Sequence, residues 1–212
     1  MSDSDTTKEG WSHKVIVEAL ESQMPVVHEQ YRIYLESLKK ELMETKDYDP
    51  LFVLDSIRTS TGLYVDFKNL SEDVIDIEDI AHSLSMQCRF GGHLPEFYSV
   101  AQHSVECSWR VSPENALEAL LHDASEAYML DIPKPLKNLL PDYEKIEYNL
   151  MIVIANKYGF NYPLLKEIKT VDAEMLRVEF DSVMLKKGGL ACWSQKSAKS
   201  AFLDRYYEIM ER

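Results

Sequence analysis

Apolar residues spaced three and four apart recur along almost the whole of the 212-residue chain, while glycine, at seven residues, is scarce. A 3.6-residue period with so few breakers confines the chain to helices packed on helices. Val27, Tyr31, Leu35, Leu38 and Leu42 mark the stripe of one such helix, in a charged arm covering residues 1–56. Only IRTSTGLYVDF, Ile57 to Phe67, reads as strand: β-branched and aromatic residues around a Thr-Gly turn predict a small hairpin. Beyond it, Asp76 caps a helix in IEDIAHSLSMQC, and Ser99 with Gln102 forms an S-x-x-Q capping box just ahead of His103. Ser112-Pro113 starts the helix that carries ALLHDASEAYM. Three more helices follow: DYEKIEYNLMIVIANKYG, stopping at Gly159; LLKEIKTVDAEMLRVEFDSVMLKKGG, stopping at Gly188-Gly189; and a last one from about Lys196 towards Arg212. The expected fold is all-α: a helical bundle over 57–212 with a small β-hairpin, preceded by an extra N-terminal helical arm over 1–56.

Charge and cysteine usage narrow the function classes. Lys and Arg number 23 against 36 Asp and Glu, a net charge of −13 that repels nucleic-acid polymers, and no basic run offsets it. No apolar run approaches the roughly 18 residues needed to span a bilayer, so no membrane association is expected. The opening MSDSDTTKEGW is polar and acidic, unlike a secretory signal. Cys88, Cys107 and Cys192 are odd in number and without CxxC spacing, which argues against a disulfide framework and for a reducing compartment. The cytoplasm is the expected location.

One stretch does not fit a plain core helix. In ALLHDASEAYMLDIPKPLK, Ala119 to Lys137, the polar residues His122, Asp123 and Glu126 sit among buried-type neighbours and share a helical face at i, i+3 and i+4. Adjacent imidazole and carboxylate suit a metal ion, whose remaining ligands must come from other helices. His103 lies one turn into a capped helix between Val100, Ala101 and Val105, and Asp172 lies among Ile168, Val171, Met175 and Leu176. A buried carboxylate needs a strong partner, because leaving it unpaired costs several kcal/mol. Singly, each residue could be something plainer, a hydrogen-bonded core histidine or an aspartate reaching solvent. Together, a His, then His-Asp, then a distant Asp on separate helices point to a shared ion.

That order, H103…H122-D123…D172, resembles the metal ligands of the HD-domain phosphohydrolases. IDIEDIAHSLSMQCRFGGHLPEFYSVAQHSV followed by ALLHDASEAYMLDIPKPLK is similar to the short HD nucleotide phosphohydrolases, which include bacterial 5′-deoxynucleotidases and phage dATP triphosphohydrolases. The resemblance runs from about Ile57 to Gly188 and leaves the arm outside it. It implies an HD-domain helical bundle with His103, His122, Asp123 and Asp172 as metal ligands, and with Glu126 and Asp131 as catalytic carboxylates. It further implies that Arg89 grips the nucleotide phosphate, and that Lys137 and Lys169 hold the polyphosphate. Phe90 stands where relatives often carry tryptophan, beside sugar or base, and His93 in the GGH loop either contacts substrate or caps the loop. The cofactor expected is a divalent ion: Zn, Mn, Co or Fe by ligand chemistry, with Mg also admissible. The expected activity is metal-dependent hydrolysis of a small nucleotide. A dNTP such as dATP would give deoxynucleoside and triphosphate; the alternatives are a 5′-deoxynucleotidase acting on dNMPs and a non-catalytic nucleotide-binding module. Assembly into a homo-oligomer is the accompanying expectation.

Overall fold

In a computed structural model, residues 56–211 are described, together with the single helical positions Ile33, Ser37 and Lys40 ahead of them. The chain divides into two units, Met1–Phe52 and Val53–Arg212. The expected helical arm over 1–56, with the stripe from Val27 to Leu42, lies outside the described residues apart from those three positions and Ser56. The second unit is nearly all-α with a small hairpin, as the periodicity requires.

Strands β1 (Ile57–Arg58) and β2 (Tyr64–Val65) pair antiparallel, Ile57 with Val65 and Arg58 with Tyr64. Gly62, at φ +96°, closes the turn in a backbone region that side-chain-bearing residues rarely adopt. Helix α1 (Ile77–Met86) starts as expected at Asp76, whose side chain accepts from the Glu78 N–H. One turn in, the buried Asp79 accepts from Ser60 Oγ at 2.6 Å and from the Thr61 N–H at 2.8 Å, fastening the hairpin to α1.

Helix α2 (Val100–Ser108) is the axis of the bundle: all nine of its residues are buried. It packs against α1, α3 (Ala116–Leu120), α7 (Lys166–Glu179) and α8 (Gln195–Met210). Between α3 and α7 run α4 (Glu126–Met129), α5 (Lys134–Lys137) and α6 (Pro141–Tyr158), the last ending at Gly159 as expected. Val100, Ala101 and Val105 join Ile80, Leu84, Leu120, Leu121, Leu150, Ile154 and Phe202 in one core. Full burial of each large apolar side chain is worth about 1.5–3 kcal/mol, which leaves room for polar groups on α2 provided they are bonded. Gln102 is: its Nε2 donates to Ala191 O at 2.7 Å and its Oε1 accepts from the Trp193 N–H at 2.9 Å. Ser99 caps α2 by accepting from the Gln102 N–H at 3.1 Å, but the Gln102 side chain serves the 191–193 loop instead of closing the expected box. At the far end, Arg205 on α8 donates to Ser108 Oγ and Ser108 O, tying off the last turn.

Two further expectations are corrected. The helix expected to carry HDASE breaks: α3 ends at Leu120, residues 121–125 form turns, and α4 begins at Glu126. Here the N–H groups of Ala124, Glu126 and Ala127 reach carbonyls three residues back, a 3-10 pattern. The cause is local, since His122 Nδ1 takes the Ala119 carbonyl at 2.7 Å, an oxygen that a continuing α-helix would use. The second concerns α7, which leaves α geometry before the glycine pair, passing into a π turn over Phe180–Met184. Ile168, Val171 and Met175 on it are buried, whereas Leu176 is exposed. Among the described residues no helix is long and apolar enough to cross a membrane, and Cys88, Cys107 and Cys192 are free thiols.

Candidate functional site

The break after α3 is what brings the polar residues together. His103 projects from the second turn of α2, His122 and Asp123 from the turn, Glu126 from the first residue of α4, and Asp172 from α7. His103 Nε2 lies 3.1 Å from His122 Nε2 and 3.2 Å from Asp172 Oδ1. Asp123 Oδ2 lies 3.2 Å from His122 Nε2 and 3.6 Å from His103 Nε2, and Asp172 Oδ1 lies 3.8 Å from His122 Nε2.

The outer hydrogen bonds decide what these atoms are. His103 Nδ1 faces Glu179 Oε1 at 2.6 Å, and His122 Nδ1 faces the Ala119 carbonyl at 2.7 Å. Both partners only accept, so both Nδ1 atoms carry hydrogen, and in the neutral rings both Nε2 atoms present lone pairs. With both rings neutral, two imidazole lone pairs and two carboxylate oxygens converge on one point with no donor among them. Ligand atoms about 2.0–2.2 Å from a common ion stand roughly 3.0–3.6 Å from one another, and the observed separations, 3.1–3.8 Å, are close to that. A second grouping overlaps this one: buried His103, Cys107 and His122 offer ligand atoms all within 4.8 Å of one another and could hold a metal ion.

Electrostatics agree that the pocket attracts positive charge. Burial works against ionisation of Asp123 and Asp172, yet the facing imidazoles hold both carboxyls well below the usual range. Burial and Arg89 oppose charge on His103, but Glu179, Cys107 and Asp172 lift its pKa well above the ordinary value; His122 is lifted likewise, chiefly by Asp123. Protons and a metal ion would compete for the same atoms.

Beside this cluster lie the proposed acid–base residues. Glu126 is 6% exposed, and its buried Oε2 has no hydrogen-bond partner among the described residues. Burial, Asp123 and Asp131 push its carboxyl well above the usual range; the 3-10 turn sets Asp123 and Glu126 three residues apart on one edge. Asp131 is also raised, first by burial. Gln87, which sequence reasoning missed, holds the two segments in register: its Nε2 donates to Glu126 O at 2.8 Å and its Oε1 accepts from the Asp131 N–H at 2.9 Å. Between them Leu130 sits at φ +73°, ψ 150°, a region essentially reserved for glycine.

The cationic residues divide. Arg89 is buried at the centre, its Nε donating to Glu179 Oε2 at 3.0 Å and its Nη1 lying 3.6 Å from Asp123 Oδ2. Lys137 reaches the rim, 3.8 Å from Glu126 Oε1, but its Nζ donates to Glu147 Oε1 at 2.7 Å. Lys169 is exposed on α7, lining a surface depression with Lys166, Thr170 and Arg177. Phe90, at φ +57°, stands 6.5 Å from the Phe180 ring, and Gly91 after it approaches Pro133, so the 90–93 loop borders the Asp131 segment. His93 at the end of that loop is exposed. Glu179, 0% exposed, was missed entirely. Its signal was its place seven residues after Asp172, two turns along the same face of α7.

The chain is 50% identical over 123 residues to the uncharacterized protein YfdR of Escherichia coli (strain K12), covering 58% of this chain and 69% of that one. It is 30% identical over 140 residues to an uncharacterized protein of Rhodobacter capsulatus, covering 59% and 71%. No family model matches.

Proposed function

The chain belongs to the family of the Escherichia coli protein YfdR, and we propose that it is a metal-dependent phosphohydrolase of deoxynucleotides on an HD-type helical bundle. The observation that carries this reading is the convergence of four acceptor atoms, from His103, His122, Asp123 and Asp172, beside a buried carboxylate with an unpartnered oxygen, Glu126. Mixed imidazole and carboxylate donors suit Zn, Mn, Co or Fe. Cys107 is the weaker donor candidate, because its sulfur is nearly equidistant from Nε2 (3.6 Å) and Nδ1 (3.9 Å) of His103. A sulfur opposite the Nε2 lone pair would be much farther from Nδ1, so Cys107 packs beside the ring.

A divalent ion in this site supplies Lewis acidity: it lowers the pKa of water from about 15.7 to near 7 and polarises a phosphoryl oxygen. The protein supplies the rest. Arg89 presents its Nη edge to the phosphate, beside Asp123. Glu126 takes the proton of the attacking water, whose oxygen forms the new bond to the α-phosphorus while the P–O5′ bond breaks. Asp131 delivers a proton to O5′ as the nucleoside leaves. Lys137 is released from Glu147 to meet the outer phosphates of a dNTP, and the products are deoxynucleoside and triphosphate.

One observation favours a second reading, a 5′-deoxynucleotidase. Lys137 is already engaged by Glu147 and Lys169 lies on the outer face of α7, so Arg89 is the cation that stands at the cluster itself. Chromatography of products from dNTPs and dNMPs, with Mn, Co or Zn added in turn, separates the two. Intact triphosphate with nucleoside supports the first, and orthophosphate released from monophosphates alone supports the second. No turnover of any substrate with any of the metals contradicts both.

A further inference from the structure

Glu179 has no part in the chemistry just described, yet it is the most completely buried charged side chain beside the cluster. It ends α7, and the π turn Phe180–Met184 follows directly. Its two oxygens serve different partners: Oε1 accepts from His103 Nδ1 at 2.6 Å, and Oε2 accepts from Arg89 Nε at 3.0 Å. The first bond fixes the tautomer that frees His103 Nε2 for a metal, and a carboxylate acceptor makes that ring a stronger donor. The second occupies Arg89 Nε, so the Nη edge of the guanidinium turns towards Asp123. One side chain thus orients a group for a cation and a group for an anion, 76 and 90 residues away from it in sequence.

We propose that Glu179 is a positioning residue that couples the two halves of the site, holding His103 for the ion and Arg89 for the phosphate in a single geometry. This rests on the phosphohydrolase reading above for the roles of His103 and Arg89. A Gln in its place keeps the volume and one acceptor for His103 Nδ1–H, but turns an N–H₂ group against Arg89 Nε–H. If Glu179 only neutralised buried charge, its loss would lower thermal stability and leave the affinities of the folded protein alone. If it positions, both affinities fall together.

The test uses the full chain, with Co²⁺ affinity from chelator competition and inorganic phosphate affinity from calorimetry on the Co²⁺-loaded protein. Glu179→Gln is expected to weaken Co²⁺ by about 10–100-fold and to weaken phosphate as much as Arg89→Ala does. The double variant should lose no more phosphate affinity than Arg89→Ala alone, because the same interaction has already been removed. Both affinities unchanged within about twofold in folded Glu179→Gln, or strictly additive phosphate losses, would overturn the proposal. Should Glu179→Gln fail to fold, Glu179→Asp keeps the buried charge but is one methylene short of spanning both partners. It should show a loss at one partner or both, and unchanged affinities there count equally against the proposal. Wild-type protein that binds neither Co²⁺ nor phosphate overturns the phosphohydrolase reading, and this inference with it; wild-type binding with indifferent variants overturns the inference alone.

Discussion

The two sides of the site are held in opposite ways. On the side proposed to hold the ion, each histidine has its outer nitrogen fixed, by Glu179 or by Ala119 O, and His103 sits on a helix with no exposed residue. On the mouth side, Lys137 is tied to Glu147, Lys169 and His93 are exposed, and two bulky residues, Phe90 and Leu130, stand at positive φ. Fixed donor directions suit an ion, whose ligands must be in place within tenths of an ångström. A strained, half-open mouth suits a substrate that arrives and leaves. The lesson is that the rigid half comes from the core and the adaptable half from loops and short helices resting on it.

Removing an ion ligand should break the rigid half most severely. Asp172→Ala is expected to keep the fold, since the side chain is 45% exposed, and to lose activity by more than the roughly 100-fold of an outer-shell change, along with bound metal. Elemental analysis beside kinetics checks it; retained metal would remove Asp172 from the ligand set.

Glu126→Gln should separate catalysis from ligation: activity falls by about 10²–10⁴-fold while metal is kept. Its stability has a definite sign. Because the folded pKa of Glu126 is raised above the unfolded value, the folded state binds that proton more tightly. The stability this confers is complete below the unfolded pKa and is lost as pH rises through the folded one. The metal-free Gln variant, which cannot ionise, should therefore out-melt metal-free wild type at neutral pH. Its margin should shrink as pH falls towards 4.5, at about 2–4 °C per kcal/mol relieved. A melting series from acid to neutral pH decides the sign, and a margin that grows on acidification contradicts it.

The mouth responds more mildly. Lys137→Ala should raise KM for triphosphates by about tenfold, roughly one charge-assisted contact, and should change monophosphate hydrolysis less. Equal effects on both substrates would make Lys137 a structural partner of Glu147. Smallest of all, Leu130→Gly relieves a glycine-type conformation that costs on the order of 1–3 kcal/mol, offset by the entropy glycine adds to the unfolded chain. A slightly higher Tm with reduced turnover is expected, because slack at 130 loosens Asp131. A lower Tm would show that Leu130 is not strained.

What was legible in the sequence follows the same division. Helices with caps or a strong period, such as those started by Asp76 and Ser99 or stopped by Gly159, could be read locally. The residues that cluster could be singled out because an imidazole or carboxylate set among apolar neighbours is costly to bury unless something binds it, although the Asp172 side chain is 45% exposed rather than buried. The helix break at His122 could not, since it depends on a side chain taking the Ala119 carbonyl. Glu179 was hidden because its partners are remote in sequence and a glutamate near a helix end usually faces water. Nothing in the sequence separates Lys137 from Lys169, and only the fold shows one at the rim and the other on the outer face.

The central claim is that one ion sits among two imidazoles and two carboxylates. It is tested most directly by titrating Co²⁺ into chelator-treated protein while recording the visible spectrum. One equivalent per chain, with ligand-field bands of nitrogen and oxygen donors and no thiolate-to-cobalt charge transfer, is the expected result, and Asp172→Ala should abolish it. Absence of specific binding, or a strong thiolate band that survives Asp172→Ala and vanishes in Cys107→Ala, would contradict it.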